Sequence, residues 1–146
     1  MLPFMAGDFV TLFLNGKNKV IKLSKDFQYG DNVFGYDSDE VEHGYMQTGF
    51  RYATTEEVVL FEYMCGNRSK FEVLEFLCQQ RDDFNFNWKP NYTAEDTKYS
   101  ITAREYTLVK DVTFNYHRIF AFKIKDTRDK FFDKYYDLLK IIIEFL

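Results

Sequence analysis

The segment that decides the fold is FRYATTEEVVLFEYM, residues 50–64. Residues 50–52 alternate as the end of a β-strand does, and the apolar residues that follow recur at helical spacing. Between these two patterns, Thr54 can accept a hydrogen bond from the backbone N–H of Glu57, while the Glu57 carboxylate can return to the N–H of Thr54. The segment therefore predicts a joint between a strand and a helix, and its glutamates are predicted to be caps rather than catalytic carboxylates.

Short runs of strand-forming residues precede this joint. The predicted strands share β-branched and aromatic residues bounded by turn formers: 9–14, 20–23, 32–36 and 45–52. Asn15-Gly16 separates the first two, and this pair tolerates the positive φ that a tight hairpin turn requires. The acidic segment 37–44 is predicted to be a turn or exposed loop. The strands together predict a small antiparallel sheet, and short strands of this number are compatible with an SH3-like curled form.

Two consecutive helices are predicted after the joint. The first places Val58, Phe61 and Cys65 on one apolar face and ends at Gly66. Ser69 and Glu72 repeat the capping box and start the second helix. The residues predicted to face inward on the second helix are Phe71, Leu74, Leu77 and Cys78. Both cysteines are therefore predicted to be buried free thiols without metal-ligand spacing.

The remaining sequence returns to strands and ends in a helix. A bridging loop is predicted over 81–97, with a short strand at 84–88. The next predicted strands are 98–102, 106–109, 112–116 and 118–124, with a turn at Lys110-Asp111. After a cap at Asp126, apolar residues at helical spacing predict one long helix packed on a sheet.

This order of elements predicts an α+β fold. The length of 146 residues predicts a single domain, 1–146. A possible subdivision into 1–80 and 81–146 would place a boundary between about residues 79 and 97. No basic leader and no long apolar run occurs, so we expect no membrane segment and a reducing cytoplasmic setting.

The charge excludes a general DNA-coating protein, because the chain has 19 Lys and Arg against 23 Asp and Glu, a net charge of −4. The distribution is uneven. Residues 1–73 hold 7 Lys and Arg against 11 Asp and Glu, whereas residues 98–134 hold 9 against 5. Aromatic residues make up 20% of the chain, which is enough to supply contact groups as well as a core.

Catalytic and cofactor motifs are absent from the sequence. No G-x-S-x-G, phosphate-binding or dinucleotide-binding motif occurs, so we expect no cofactor and no catalytic residue. The acidic segment begins like a calcium loop at Asp37, but Glu42 stands where an EF-hand requires glycine, so no metal is expected. A small enzyme with a site assembled from scattered polar residues stays an alternative.

Two surfaces are candidates for binding. The first is an acidic loop that could imitate phosphates to a basic partner, with aromatic anchors if these are exposed. Its candidate residues are Asp37, Asp39, Glu40, Glu42, Tyr45, Tyr52, Trp88 and Tyr92. The alternative is a nucleic-acid surface of interleaved basic and aromatic residues on strands, which is typical of sheets that stack bases. Its candidate residues are Lys98, Tyr99, Arg104, Tyr106, Lys110 and Arg118.

The run Phe50-Arg-Tyr-Ala-Thr-Thr-Glu-Glu57 resembles an F-R-x-A-T-x-E-E signature of small bacteriophage proteins of unassigned function. Thr55 departs from it, because proline is usual there. Trp88-Lys-Pro90 followed by Lys98-Tyr-Ser-Ile101 is similar to a second pattern of the same proteins. The resemblance implies a phage origin and transfers no catalytic residue. It implies a non-enzymatic protein of the bacterial host cytoplasm that binds a host defence complex, such as a CRISPR effector, and inhibits it.

Overall fold

The computed structural model describes residues 4–46 and 49–146. It confirms the predicted α+β class, with two antiparallel sheets and helices. The internal contacts divide the chain into an N-terminal unit, Met1–Arg68, and a C-terminal unit, Ser69–Leu146. This division falls before the second helix, whereas the predicted boundary lay between residues 79 and 97. The second helix makes its contacts with later helices and a later strand, which the sequence pattern does not reveal.

The described part of the N-terminal unit contains five strands and a helix. These are β1 (Phe9–Leu14), β2 (Lys17–Leu23), β3 (Val33–Tyr36), β4 (Glu42–Tyr45), β5 (Phe50–Tyr52) and α1 (Thr55–Met64). The strands are ordered β4-β3-β2-β1-β5, and all neighbours are antiparallel. The predicted hairpin is confirmed, because Asn15 and Gly16 have φ of 50° and 75° and connect paired residues Leu14 and Lys17. Curling of this sheet into an SH3-like form stays a prediction.

The fourth predicted strand is wrong in its bounds. The acidic segment was predicted to be a loop throughout, but its last residues belong to β4, which pairs with β3 from Val33↔Tyr45 to Tyr36↔Glu42. The reason is a tight turn at Asp37, described below, that reverses the chain before Glu42. The predicted strand 45–52 therefore includes the end of β4 and all of β5, and residues 47–48 lie outside the described part of the chain.

An aliphatic core lies on the sheet of the N-terminal unit. Its buried residues are Val10, Leu12, Ile21, Leu23 and Val33. Helix α1 buries Phe61, as predicted, together with Val59, whereas Val58 and Cys65 of the predicted face are half-buried. Phe61 packs edge-on against Phe9 with ring centroids 5.5 Å apart. Residues 58–61 are all apolar, so periodicity alone could not single out the buried face.

The described part of the C-terminal unit contains helices around a smaller sheet. Its elements are α2 (Lys70–Phe84), β6 (Lys98–Arg104), β7 (Thr107–Thr113), β8 (Phe120–Phe122), α3 (Lys125–Lys134), α4 (Tyr136–Ile141) and a 3₁₀ turn (Ile143–Phe145). The sheet order is β7-β6-β8, again antiparallel. On α2, Val73 and Leu77 are buried, but Phe71, predicted to face inward, is 70% exposed.

The turn between β6 and β7 is not where it was predicted. Lys110 and Asp111 lie inside β7, and the chain turns at Glu105-Tyr106, whose φ values are 52° and 62°. This geometry is that of the tight hairpin turns that usually carry Asn-Gly, so the sequence gives no signal for it. The predicted strand at 84–88 is also wrong, because α2 continues to Phe84 and the residues after it turn.

The predicted long C-terminal helix is broken into α3 and α4 at Tyr135, whose φ and ψ are −110° and 19°. Asp126 is not its cap; it lies in the first turn, after the N-cap residue Ile124. Packing explains the break: Tyr135 is buried against Phe131, at 4.7 Å between ring centroids, and its hydroxyl donates to Gln80 at 3.2 Å. The predicted packing on a sheet is confirmed by contacts of Phe131 with Phe122.

Candidate functional site

The strand-to-helix joint of the N-terminal unit is structural, as predicted. Thr54 and Glu57 form the capping box, and Arg51 donates to both oxygens of the Glu57 carboxylate at 2.7 and 3.3 Å. Burial disfavours the charged carboxylate, but the hydrogen bonds from Arg51 and Thr54 outweigh it and lower the pKa of Glu57 to about 2. Arg51, Thr54 and Glu57 therefore hold the strand-to-helix joint together.

Asp37 organises the acidic turn. Its Oδ1 accepts hydrogen bonds from the backbone N–H groups of Asp39 and Val41 at 2.9 and 3.0 Å, and its Oδ2 lies 2.9 Å from Nε2 of His43. The bond from the Val41 N–H is the largest cause of a pKa of Asp37 below its ordinary value. Asp37 is thus a turn former, and its contact with a partner stays a prediction.

The other predicted acids of this turn are free to meet a partner. Asp39, Glu40 and Glu42 are exposed. The backbone of Glu40 is in the left-handed region, with a φ of 63°, as is common at a tight turn. No ion pair involves these three carboxylates within the described residues. Three neighbouring carboxylates that point into solvent make this turn a local centre of negative potential.

Two clefts of the N-terminal unit flank α1 beside this turn. One, of about 340 Å³, has Asp37, Asp39 and Glu57 on its walls, with Lys19 as its cation. The other, of about 360 Å³, has Asp37, Glu40 and Glu62 with Lys22 as its cation. Phe61 lines both clefts, and Met64, 61% exposed, lines the first. Each cleft thus combines an apolar floor with more carboxylates than cations.

The predicted aromatic anchors differ in exposure. Tyr45 is half-buried, and burial raises the pKa of its hydroxyl, which has no hydrogen-bond partner among the described residues. Tyr52 is 43% exposed, with its ring 4.3 Å from that of Phe4. Trp88 and Tyr92 are half-buried and belong to the C-terminal unit. The four residues are therefore divided between the two units, and their role as anchors stays a prediction.

Lys98 was predicted to bind nucleic acid, and the structure contradicts this. Its side chain is buried, with 1% exposure, and its ammonium donates to the carbonyls of Ala94, Asp96 and Phe114 at 3.2, 2.9 and 2.8 Å. Those carbonyls lie before β6 and after β7. Lys98 therefore ties two loop segments to the sheet and presents no charge to a ligand.

The other predicted nucleic-acid residues do not share one surface, because side chains of adjacent strand residues alternate between the two faces. Lys110 lies on the side of α3, 3.7 Å from Asp129 and over the ring of Phe132, and half-buried Tyr99 has Arg128 of α3 over its ring. Arg104 pairs instead with Asp111 at 2.7 Å. Tyr106 is 86% exposed at the turn, and Arg118 is exposed beyond β7.

A basic and aromatic cleft in the C-terminal unit was not predicted. It has a volume of about 200 Å³ and lies between the end of α2 and the segment 118–121. Its lining includes Arg81, Asp82, Trp88, Lys89, Pro90, Tyr92 and Arg118. The W-K-P motif at 88–90 is the sequence signal that could have pointed to it, but the opposite wall comes from residues about thirty positions later.

Nothing in the described residues favours a reactive cysteine or a metal site. Cys65 and Cys78 are half-buried rather than buried, and burial raises the pKa of both thiols, which keeps them in the less reactive protonated form. No group of three or more His, Cys, Asp or Glu residues in the described ranges could hold a metal ion. Nor does that part of the chain contain a helix long and apolar enough to cross a bilayer.

No protein family, no curated protein and no solved structure matches this chain. The function must therefore be inferred from two features, one in each unit. These are the acidic turn with its flanking clefts in the N-terminal unit and the basic and aromatic cleft in the C-terminal unit.

Proposed function

We propose that the chain is a non-enzymatic binding protein of phage origin, which acts in the cytoplasm of a bacterial host. Its partner is a host defence complex, such as a CRISPR effector, which it inhibits through protein–protein contact. The observation that carries this proposal is the acidic surface of the N-terminal unit. The phage origin rests on the resemblance of residues 50–57 to the signature of small phage proteins.

The negative charge of the chain belongs to the N-terminal unit. This unit holds 6 Lys and Arg against 10 Asp and Glu, whereas the C-terminal unit holds 13 against 13. The N-terminal unit therefore carries a net charge of −4, which equals that of the whole chain. Such a surface attracts a basic partner and raises its rate of association.

The geometry of the turn suits a partner that binds nucleic acid. Asp39, Glu40 and Glu42 present carboxylates from one short turn, which resembles the close spacing of charges along a phosphate backbone. Arg and Lys side chains of a nucleic-acid groove could donate charge-assisted hydrogen bonds to them. The clefts beside α1 would add apolar burial, because Phe61 lines both of them and Met64 one. A groove occupied in this way could no longer hold its nucleic acid.

The test co-expresses the protein in bacteria that carry a panel of CRISPR effectors and measures interference against a targeted plasmid. We expect the wild-type protein to restore plasmid survival with one effector and to purify with that effector in a fixed ratio. If survival is not restored with any effector and no complex forms with the purified effectors, the proposal is wrong.

Two matched variants locate the contact. The turn variant combines Asp39→Asn, Glu40→Gln and Glu42→Gln. The control variant combines changes at exposed acids of the C-terminal unit: Glu75→Gln, Glu95→Gln and Asp133→Asn. Both variants lose three negative charges. We expect the turn variant to lose inhibition, with association that is slower and less salt-dependent, and the control variant to keep both. Equal loss in the two variants would contradict a role of the turn.

A further inference from the structure

We propose that the basic and aromatic cleft of the C-terminal unit binds a nucleoside phosphate. Its base would lie against Trp88 and its phosphate between Lys89 and Arg118. This inference is independent of the proposed function, because all residues that line the cleft belong to the C-terminal unit. The acidic turn can fail its test without affecting this one.

The first argument is charge. The cleft walls contain three cations and a single carboxylate, that of Asp82. Arg81 and Lys89 both pair with Asp82, at 3.0 and 3.2 Å, whereas Arg118 forms no ion pair in the described part of the chain and its guanidinium lies over the ring of Tyr116 at 6.0 Å. The cleft walls therefore carry two more positive than negative charges, which favours a ligand that carries a phosphate.

The second argument is that the walls are already held in place. The Tyr92 hydroxyl donates to the Arg118 carbonyl at 3.1 Å and accepts from the Arg118 N–H at 3.3 Å. On the other side, Arg81 donates to the Ile119 carbonyl at 2.6 Å, and the Asn85 amide donates to that of Ala121 at 2.9 Å. A ligand would not have to order these segments, so little of its binding free energy would be lost.

The third argument is size and surface. A closed apolar cavity of about 150 Å³ holds benzene, so a cleft of about 200 Å³ holds a base but not a whole nucleotide. Trp88 is half-buried at its wall and supplies an aromatic surface, on which any base can stack. The Lys89 side chain is 67% exposed, so the sugar and phosphate would lie outside the cleft beside its ammonium.

Trp88 makes the binding measurable, because it is the only tryptophan of the chain. The full-length protein is titrated with UMP, AMP, uridine and inorganic phosphate while tryptophan fluorescence is recorded. We expect saturable quenching by UMP or AMP, weaker binding of uridine, and no quenching by phosphate alone, since the phosphate lies away from the indole ring. Absence of saturable quenching by either nucleotide at millimolar concentration would overturn the proposal.

Three variants separate the site from general electrostatic attraction. Lys89→Ala and Arg118→Ala should each raise the Kd for the nucleotide about tenfold. Lys130→Ala, at an exposed lysine of α3, should leave it unchanged. Both site variants keep the cleft walls, because Arg81 still pairs with Asp82 and the bonds of Tyr92 go to the Arg118 backbone. Equal weakening in all three variants would overturn the assignment to this cleft.

The ligand could be a free nucleotide or a unit of a single-stranded nucleic acid, and a short uridine oligomer distinguishes the two. If the oligomer binds much more tightly than UMP and its affinity falls steeply with salt, the source is a strand. If UMP binds as tightly as the oligomer, the source is the free nucleotide. Either result supports the cleft as a nucleoside phosphate site, and binding of neither overturns it.

Discussion

The two units of this protein place charge in opposite ways. The N-terminal unit has surplus acids, of which Asp39, Glu40 and Glu42 are exposed, and its half-buried Glu57 carboxylate is held by Arg51. The C-terminal unit has as many cations as acids, but it buries Lys98 and Arg128 to 1% and 5% exposure. Arg128 donates to the backbone carbonyls of Ser100 and Asp111, much as Lys98 donates to three carbonyls.

This difference shows when the number of charged residues in the sequence predicts the charge on the surface. In the N-terminal unit the number of acids predicts a negative surface, because three acids at the turn are exposed to solvent. In the C-terminal unit the number of cations does not predict the charge on the surface. Its buried cations form hydrogen bonds to backbone carbonyls in place of water, so they cannot contact a ligand. Of the four cations predicted to bind nucleic acid, Lys98 is lost in this way, whereas Arg104, Lys110 and Arg118 are exposed. Binding of nucleic acid by these three stays a prediction.

The strongest test of this difference between the two units is to replace the buried Lys98. We expect Lys98→Ala to lower the free energy of unfolding by about 3 kcal/mol. Three backbone carbonyls lose their charged hydrogen-bond donor, and those that water cannot reach are left without one. Denaturant unfolding followed by far-UV circular dichroism measures it. Lys130→Ala, at an exposed lysine, should change stability by less than about 0.5 kcal/mol. A loss below about 1 kcal/mol for Lys98→Ala would mean that Lys98 is not a structural tie.

The half-buried Glu57 carboxylate of the N-terminal unit gives the next largest effect. Since the pKa of Glu57 falls from an ordinary 4.5 to about 2 on folding, its contribution is complete above pH 4.5 and disappears as the pH falls toward 2. We expect Glu57→Gln to lower the free energy of unfolding by about 2 kcal/mol at neutral pH and by much less near pH 2. Unfolding of both proteins at a series of pH values checks this.

Glu56→Gln is the matched control for this change. It removes the same charge from the same first turn of α1, but Glu56 forms no ion pair in the described part of the chain. We expect Glu56→Gln to lower the free energy of unfolding by about 0.5 kcal/mol, the contribution of a charge in the first turn to the interaction with the helix dipole. If the two variants were equally destabilised at neutral pH, the bonds of Glu57 to Arg51 and Thr54 would not be the cause.

The parts of the fold that sequence reasoning predicted depend on neighbours in the chain. Both capping boxes, at Thr54 and Ser69, and the Asn15-Gly16 hairpin are confirmed because each consists of residues at most three positions apart. These are local hydrogen bonds and local backbone preferences. The exposure of Asp39, Glu40 and Glu42 could also be predicted, because these acids lie close together in one polar segment of the chain.

The parts that failed depend on residues distant in the chain. The break at Tyr135 follows from packing of its ring and a bond to Gln80, 55 positions earlier. The burial of Lys98 requires the Phe114 carbonyl beyond the following strand. The cleft joins residues of α2 to the segment 118–121, and no local pattern marks that meeting.

The smallest effect concerns the two hairpins, one in each unit. Both turn at residues with positive φ, but the first uses Asn15-Gly16 and the second uses Glu105-Tyr106. Because ordinary residues pay a steric cost in this region, Glu105→Asn with Tyr106→Gly should raise the free energy of unfolding by about 1 kcal/mol. Gly16→Ala should lower it by about 1 kcal/mol through conformation alone, since a Cβ there would meet nothing within 4 Å. Denaturant unfolding measures both changes.

Tyr106→Ala separates the turn conformation from the loss of the aromatic ring. It keeps a residue with a Cβ at a φ of 62° and removes a ring that is 86% exposed, so we expect almost no change in stability. Tyr106→Gly should then be more stable than Tyr106→Ala, because only glycine relieves the steric cost. If the two variants were equally stable, the positive φ would not cost free energy at this turn. The two hairpins would then differ in sequence but not in backbone strain.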